Sequence, residues 1–272
     1  MSVVTVVVPT RNSERTLEAC LRSVRTQLEK DVELVVVDNG SMDGTTSIAR
    51  RYADVVESYG PERSAQRNRG AKLGRGDYLL FIDSDMLLAP EVISDCLAAV
   101  RQSAAPAVII PEVTVGEGFW AHCRALERSC YMGDDLIEAA RFFRREQFAS
   151  VGGYDESLVA GEDWDLSARV SSGAKLPRTS GRIMHDEGRI RLLDRLAKKR
   201  YYGAAFERYW RKHGRLATRQ ANVLARAAYF RNWRTLVRHP VLTFGFMSLK
   251  VLELTAAAVG FISARTWRTT SA

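Results

Sequence analysis

Apolar, largely β-branched runs recur along the first half of the chain: Val3 to Val8, Val32 to Val37, the shorter Val55-Val56, Tyr78 to Ile82 and Ala107 to Ile110. Runs that are apolar at successive positions read as strands buried on both faces of a sheet. Between them, apolar positions fall at helical spacing. Ser13 can cap a helix with Leu17, Leu21, Val24 and Leu28 on one face, Asp43 can cap one carrying Ile48 and Tyr52, and Val92 to Val100 forms another. Strands alternating with helices predict an α/β fold, a Rossmann-like and mostly parallel sheet flanked by helices. Beyond residue 190 the pattern changes to a basic, hydrophobic helical extension, residues 191–272.

The predicted strand ends carry the polar chemistry. In Phe81-Ile82-Asp83-Ser84-Asp85, two carboxylates stand two residues apart at the end of an apolar run. Ligands of open α/β sheets bind outside such carboxyl ends, and aspartates aimed there suit a hard divalent cation that holds a diphosphate. Pro9-Thr10-Arg11-Asn12 closes the first strand and Asp38-Asn39-Gly40-Ser41 the second. Asp38 can accept from a base or ribose donor, and Gly40 permits a tight turn. Arg67-Asn68-Arg69-Gly70 lies on a basic helical segment suited to face phosphates. Taken singly, each also fits plain turn, cap or solvated-helix chemistry.

Together with Val37 to Thr45 and Asp77 to Asp85, these segments resemble the family 2 inverting glycosyltransferases over roughly residues 1–190. The resemblance implies a GT-A fold and a nucleotide-sugar donor of the UDP- or GDP-sugar class. The donor would bind through Pro9, Thr10, Arg11, Asn12, Asp38, Asn39, Arg67, Asn68, Asp83, Ser84 and Asp85. Residues 1–112 would form the nucleotide-sugar half and 113–190 the acceptor side. One departure is Asn39, where the family more often carries a second Asp; Asn keeps an acceptor and loses the charge.

Val151-Gly152-Gly153-Tyr154-Asp155-Glu156 and Gly161-Glu162-Asp163-Trp164 follow. The resemblance implies that Asp163 is the catalytic base and Glu162 its neighbour on the acceptor side. Inversion requires an acceptor hydroxyl to attack the anomeric carbon opposite the leaving nucleoside diphosphate, and its proton must pass to a positioned base. The same acids would also suit the first turn of a helix, whose dipole favours them. Trp164, Tyr154 and Trp120 are aromatic candidates for contact with the acceptor sugar. His185 is implied as a metal ligand beside Asp85, with Asp83 on the ribose or a metal-bound water. An oxygen-plus-imidazole set accommodates Mn2+ or Mg2+.

Composition bears on location. Cys20, Cys96, Cys123 and Cys130 show no Cys-x-x-Cys spacing, which predicts buried thiols. The N-terminus enters a strand without a basic signal region, which predicts a cytoplasmic catalytic domain. Of a net charge of +8, the segment from Glu187 to Pro240 carries fifteen Lys and Arg against three acids. Its cations, including Lys198, Lys199, Arg211 and Lys212, are interleaved with Tyr201, Tyr202, Phe206, Tyr209 and Trp210. That mixture suits an anionic membrane surface at the inner face of the cell membrane, or the phosphate of a lipid carrier; no nucleic-acid-binding module is evident. Val241 to Ser263 is long enough to cross a bilayer. Against a clean span, Lys250 and Glu253 sit near its middle, at roughly 2.5–3.5 kcal/mol each on the insertion scale, and Arg234, Arg238, Arg265 and Arg268 flank both ends. A surface-embedded or re-entrant helix, a span, and packing on the protein itself or on another subunit of a homo-oligomer all stay open. The function expected from the resemblance and the tail is sugar transfer to a hydroxyl of a lipid-linked or cell-surface glycan. A polyprenyl-phosphate sugar synthase and a non-catalytic membrane adaptor are the alternatives.

Overall fold

The structure is a computed structural model that describes residues 4–222 and 227–269, with side chains through residue 264. Val3 and the side chains of Arg265 and Arg268 lie outside the described residues. The chain divides into two compact units. One comprises Met1–Val113, Glu138–Glu156 and Asp163–Asp186; the other comprises Thr114–Ile137, Ser157–Glu162 and Glu187–Ala272.

The first unit opens with β1 (Val4–Thr10), α1 (Glu14–Arg25), β2 (Val32–Asp38), α2 (Thr45–Tyr52), β3 (Val55–Ser58), α3 (Arg63–Leu73) and β4 (Tyr78–Phe81). The short β5 (Met86–Leu88), α4 (Val92–Ser103) and β6 (Ala107–Ile109) follow. Along the chain β7 (Glu112–Glu117) then leads into α5 (Gly118–Ser129) of the second unit, and β8 (Ala140–Arg144), α6 (Arg145–Ser150), α7 (Glu162–Ser171) and β9 (Ile183–Arg189) follow. The main sheet has the order β3-β2-β1-β4-β8-β6. Its first four strands run parallel, and β8 pairs antiparallel with β4 and β6. Alternation along the strands fills both faces. Val6, Val8, Leu34, Val36, Leu80 and Ile82 pack with Leu17 and Leu21 of α1, while Val7, Leu79 and Phe81 pack with Phe143, Phe148 and Tyr154. This is the predicted α/β architecture.

Register brings the polar strand ends to one edge. Thr10 pairs with Asp38, so β1 and β2 finish together, and Phe81, the last residue of β4, pairs with Val7 three residues earlier on the same side. Helix α3 lies close beneath them because Gly70 carries no Cβ: one built there would come 2.3 Å from Val7 Cγ1. A second sheet, β5-β9-β7, sets Met86 opposite His185.

Two expectations change. Helix α1 stops at Arg25 and not beyond Leu28, because the Gln27 amide donates to the Ser23 and Ala89 carbonyls and turns the chain; Leu28 is 65% exposed. Asp43 accepts from the Thr45 backbone N–H at the start of α2, while Gly44 takes the cap position itself. Segment 114–137 falls in the second unit.

That second unit continues with α8 (Leu192–His213), α9 (Arg215–Ala221), α10 (Ala227–Arg231), α11 (Trp233–Arg238) and α12 (Pro240–Thr269). Helix α12 packs on α8 and α5. At the α8 contact the backbones meet: a Cβ on Gly203 would lie 2.2 Å from the Ala257 carbonyl oxygen, and one on Gly260 would lie 2.0 Å from that of Arg200. Lys250 and Glu253 point inward. Lys250 Nζ stands 2.9 Å from Glu127 Oε1 and 2.5 Å from Glu253 Oε2, and Arg195 bridges Glu253 and Glu187. Burial opposes the charge on Glu253, but Lys250, Lys199, Arg124 and Arg195 hold it down to about 2. The opposite face of α12 leaves Phe244, Val251, Leu252, Val259 and Ile262 exposed.

Candidate active site

The described part of the first unit gathers charged side chains at the edge where β1, β2 and β4 end. Arg67, on α3, has a completely buried side chain. Its Nη2 donates to Asp83 Oδ1 at 2.7 Å and its Nη1 to Asp163 Oδ1 at 2.9 Å. The guanidinium lies 5.1 Å from the ring centre of Tyr154, whose hydroxyl also donates to Asp163 Oδ1, at 3.2 Å. Arg67 thus faces carboxylates and does not present its charge to solvent, as the phosphate-facing reading expected. Burial would raise the Asp83 carboxyl, but Arg67 above all, then Arg141, Arg63 and His185, hold it well below the usual carboxylate range.

A second chain of contacts leads to His185. The antiparallel β8 starts where β4 ends, which brings Arg141 to the edge; its Nη2 is 3.9 Å from Asp83 Oδ2, and its Nε donates to Glu112 Oε1 at 2.6 Å. Glu112 Oε2 lies 3.8 Å from His185 Nδ1, and His185 Nε2 lies 3.2 Å from Asp85 Oδ2. Burial disfavours the imidazolium, yet the hydrogen bonds and charges of Asp85 and Glu112 raise His185 to about 9. Asp85 Oδ1 is buried with no hydrogen-bond partner among the described residues. Buried polar atoms are rarely left so, and an orphaned carboxylate oxygen beside an imidazole fits a divalent cation. Among the described residues, no three His, Cys, Asp or Glu side chains form a complete cage, so a cation there would draw further ligands from substrate oxygens and water.

The other predicted donor residues divide between bonded and exposed positions. Buried Asp38 accepts from the Thr10 hydroxyl at 3.0 Å and from the Ser41 N–H at 2.9 Å. Pro9 is buried opposite Val37, and Arg11 and Asn12 are exposed. Asn39 Nδ2 donates to the Pro61 carbonyl at 2.6 Å, and Ser84 Oγ donates to Ser13 Oγ at 2.8 Å. Asn68 is committed elsewhere: it binds the backbone N–H and C=O of Tyr154 and the carboxylate of Glu156. Tyr154 is 2% exposed, enclosed by Phe81 and Phe148, so its ring offers no face to an acceptor sugar. Trp164 is half-buried on α7, which opens with buried Glu162. Trp120, half-buried on α5, packs edge-on against Phe119 and belongs to the second unit.

Glu112, Arg141 and Gln66 escaped the sequence reading. Gln66 donates to the carbonyls of Thr10 and Val37, tying two strand ends together. The only signal for Arg141 was a charge within the apolar run Ala140-Arg141-Phe142-Phe143.

Comparison with known proteins gives this arrangement its setting. The family model for Glycosyl transferase family 2 matches residues 5–152. A PGL/p-HBAD biosynthesis glycosyltransferase of Mycobacterium bovis is 30% identical over 190 residues, 66% of this chain and 73% of that protein. Succinoglycan biosynthesis protein ExoA of Rhizobium meliloti is 30% identical over 187 residues, 61% of this chain and 57% of that one. Among solved structures, mannosyltransferase PcManGT from Pyrobaculum calidifontis, in complex with GDP-Man and Mn2+, aligns with a TM-score of 0.62 at 19% identity, covering 95% of this chain and 86% of that one. S. aureus TarS 1-349 aligns at 0.58 and 18% identity, covering 98% and 92%. At these identities the structural likeness speaks for the fold, which is of the GT-A type. The family match spans more than half of the chain, and on it the chain belongs to glycosyl transferase family 2 and is a glycosyltransferase.

Proposed function

We propose that the chain carries out metal-dependent, inverting transfer of a sugar from a nucleotide-sugar donor to a hydroxyl of a lipid-linked or cell-surface glycan acceptor. The observation that carries this reading is the orphaned Asp85 Oδ1 beside His185, in the same bonded cluster as Asp163. When bound at Asp85 and His185, Mn2+ or Mg2+ would neutralise the charge that grows on the departing diphosphate. Asp163 takes the proton of the acceptor hydroxyl. Asp38, with Thr10 and Asn39, lies at the strand ends suited to a nucleoside. PcManGT was solved with GDP-Man and Mn2+, and a related TarS structure with UDP-GlcNAc, which supports the donor class.

The second unit supports attachment to an anionic membrane surface. Helix α12 is long and apolar enough to cross a bilayer, but Lys250 and Glu253 are spent inside its own unit. The exposed face of α12, with Trp233, Val237 and the surrounding cations, suits a helix lying in the interface. The test is transfer from a panel of UDP- and GDP-sugars to membrane extracts, with Mn2+, with Mg2+ and with excess chelator. Transfer that needs the metal and inverts the anomeric centre supports the reading; full transfer in chelator sinks the metal assignment.

A further inference from the structure

Arg67 spends two N–H groups on two different carboxylates while wholly buried. We propose that Arg67 is the positioning residue of the reaction: it anchors Asp163 by one oxygen and so presents the other as the proton acceptor. This rests on the reading of Asp163 as the base.

The hydrogen bonds are asymmetric. Arg67 and Tyr154 both donate to Asp163 Oδ1, and no hydrogen bond engages Oδ2 among the described residues. A carboxylate held by one oxygen keeps the other in a single orientation, the kind of alignment whose loss can cost on the order of 10²-fold in rate. The anchors are themselves fixed. Asp83 holds the far side of the guanidinium at 2.7 Å, and Asn68, the next residue of α3, binds both backbone groups of Tyr154 at 2.9 Å. Phe81 closes on the Tyr154 ring edge-on, with centroids 5.2 Å apart. Two consecutive residues of one helix therefore set the base and its aromatic support. Only a planar fork serves here, since a lysine ammonium is a single point charge at the end of a flexible stem.

The experiment is a double-mutant cycle on the full chain, using the UDP- or GDP-sugar that the unaltered protein turns over fastest. Arg67→Lys should lower kcat by about 10²-fold and leave the affinity for UDP or GDP with Mn2+, measured by calorimetry, within a few-fold. Tyr154→Phe removes only the hydroxyl and should lower kcat less, in a chain that melts as the unaltered one does. Neither change should lower kcat further once Asp163→Asn is present, because groups that act as a unit are not additive. A full additional loss in the Asp163→Asn background would overturn the clamp while leaving the base in place. A loss of nucleotide affinity with kcat preserved would make Arg67 a donor contact and overturn it too. Near-normal turnover of Asp163→Asn alone would overturn the base assignment and the clamp with it.

Discussion

At Asp85 and His185 the chemistry comes down to a few atoms. Oδ1 of the aspartate has no hydrogen-bond partner among the described residues, and Asp85 and Glu112 raise the imidazole beside it to about 9, so a cation bound there would have to displace its proton. Asp85→Ala should abolish the Mn2+-dependent part of UDP or GDP binding in calorimetry; unchanged binding would move the cation elsewhere. Asp163→Asn preserves shape and removes the proton acceptor, so kcat should fall by roughly 10²-fold or more with donor affinity little changed. Turnover near that of the unaltered chain would shift the role to Glu162 or to a phosphate acceptor that needs no base. The placing of Asp38, Asp83 and Asp85 at strand ends was legible because they close apolar runs, whereas His185 was singled out only through the family resemblance. Glu112 and Arg141 were not, because their roles depend on an antiparallel pairing of β8 with β4 that no local pattern announces. Tyr154 was misread for a related reason: spacing does not say which aromatic ring its neighbours will enclose.

Helices and strands show the same division. The parallel strands were readable from their apolar runs, since a strand covered on both faces has no polar side to confuse the pattern. Strands β5, β7 and β9 are short or half-polar and were missed. Helix α12 is the instructive case, for its two central charges argued against a bilayer span but did not say where they would go. They are satisfied by Glu127 and Arg195 from helices distant in sequence. Lys250→Met, which leaves Glu127 and Glu253 buried without that cation, should destabilise the second unit by about 3–5 kcal/mol in chemical denaturation. Acid should act on the same network. Glu253 is depressed from 4.5 to about 2, so its contribution is present above pH 4.5 and is lost as pH falls through 2. Glu253→Gln should therefore be less stable than the unaltered chain at pH 7 and converge with it below pH 2. A constant difference between the two across that range would show that the ionised carboxylate contributes nothing.

At the scale of the whole chain, the segments of two units alternate in sequence, 114–137 and 157–162 belonging with 187–272. The change of composition near residue 190 was legible, but the inclusion of 114–137 was not, because Arg124 and Glu127 look like any solvated helix pair until Lys250 and Glu253 meet them. The exposed apolar face of α12 bears on membrane attachment. Replacing Phe244, Val251 and Ile262 together by Ser should abolish salt-resistant co-sedimentation with phosphatidylglycerol vesicles. Neutralising Lys198, Arg211 and Lys212 should remove about 1 kcal/mol per charge of a component that salt also removes. Equal binding by all three proteins would exclude this face as the contact. The buried pairing of α5 with α12 also orders events during synthesis. At elongation rates of about 5–20 residues per second, Lys250 follows Glu127 by roughly 6–25 s. Every strand of the main sheet is made before α12, so that sheet can close while Glu127, already paired with Arg124, still lacks Lys250. A nascent chain stopped short of Lys250 would carry a finished sheet and a second unit still missing the cation of its buried network, a state open to proteolytic triage.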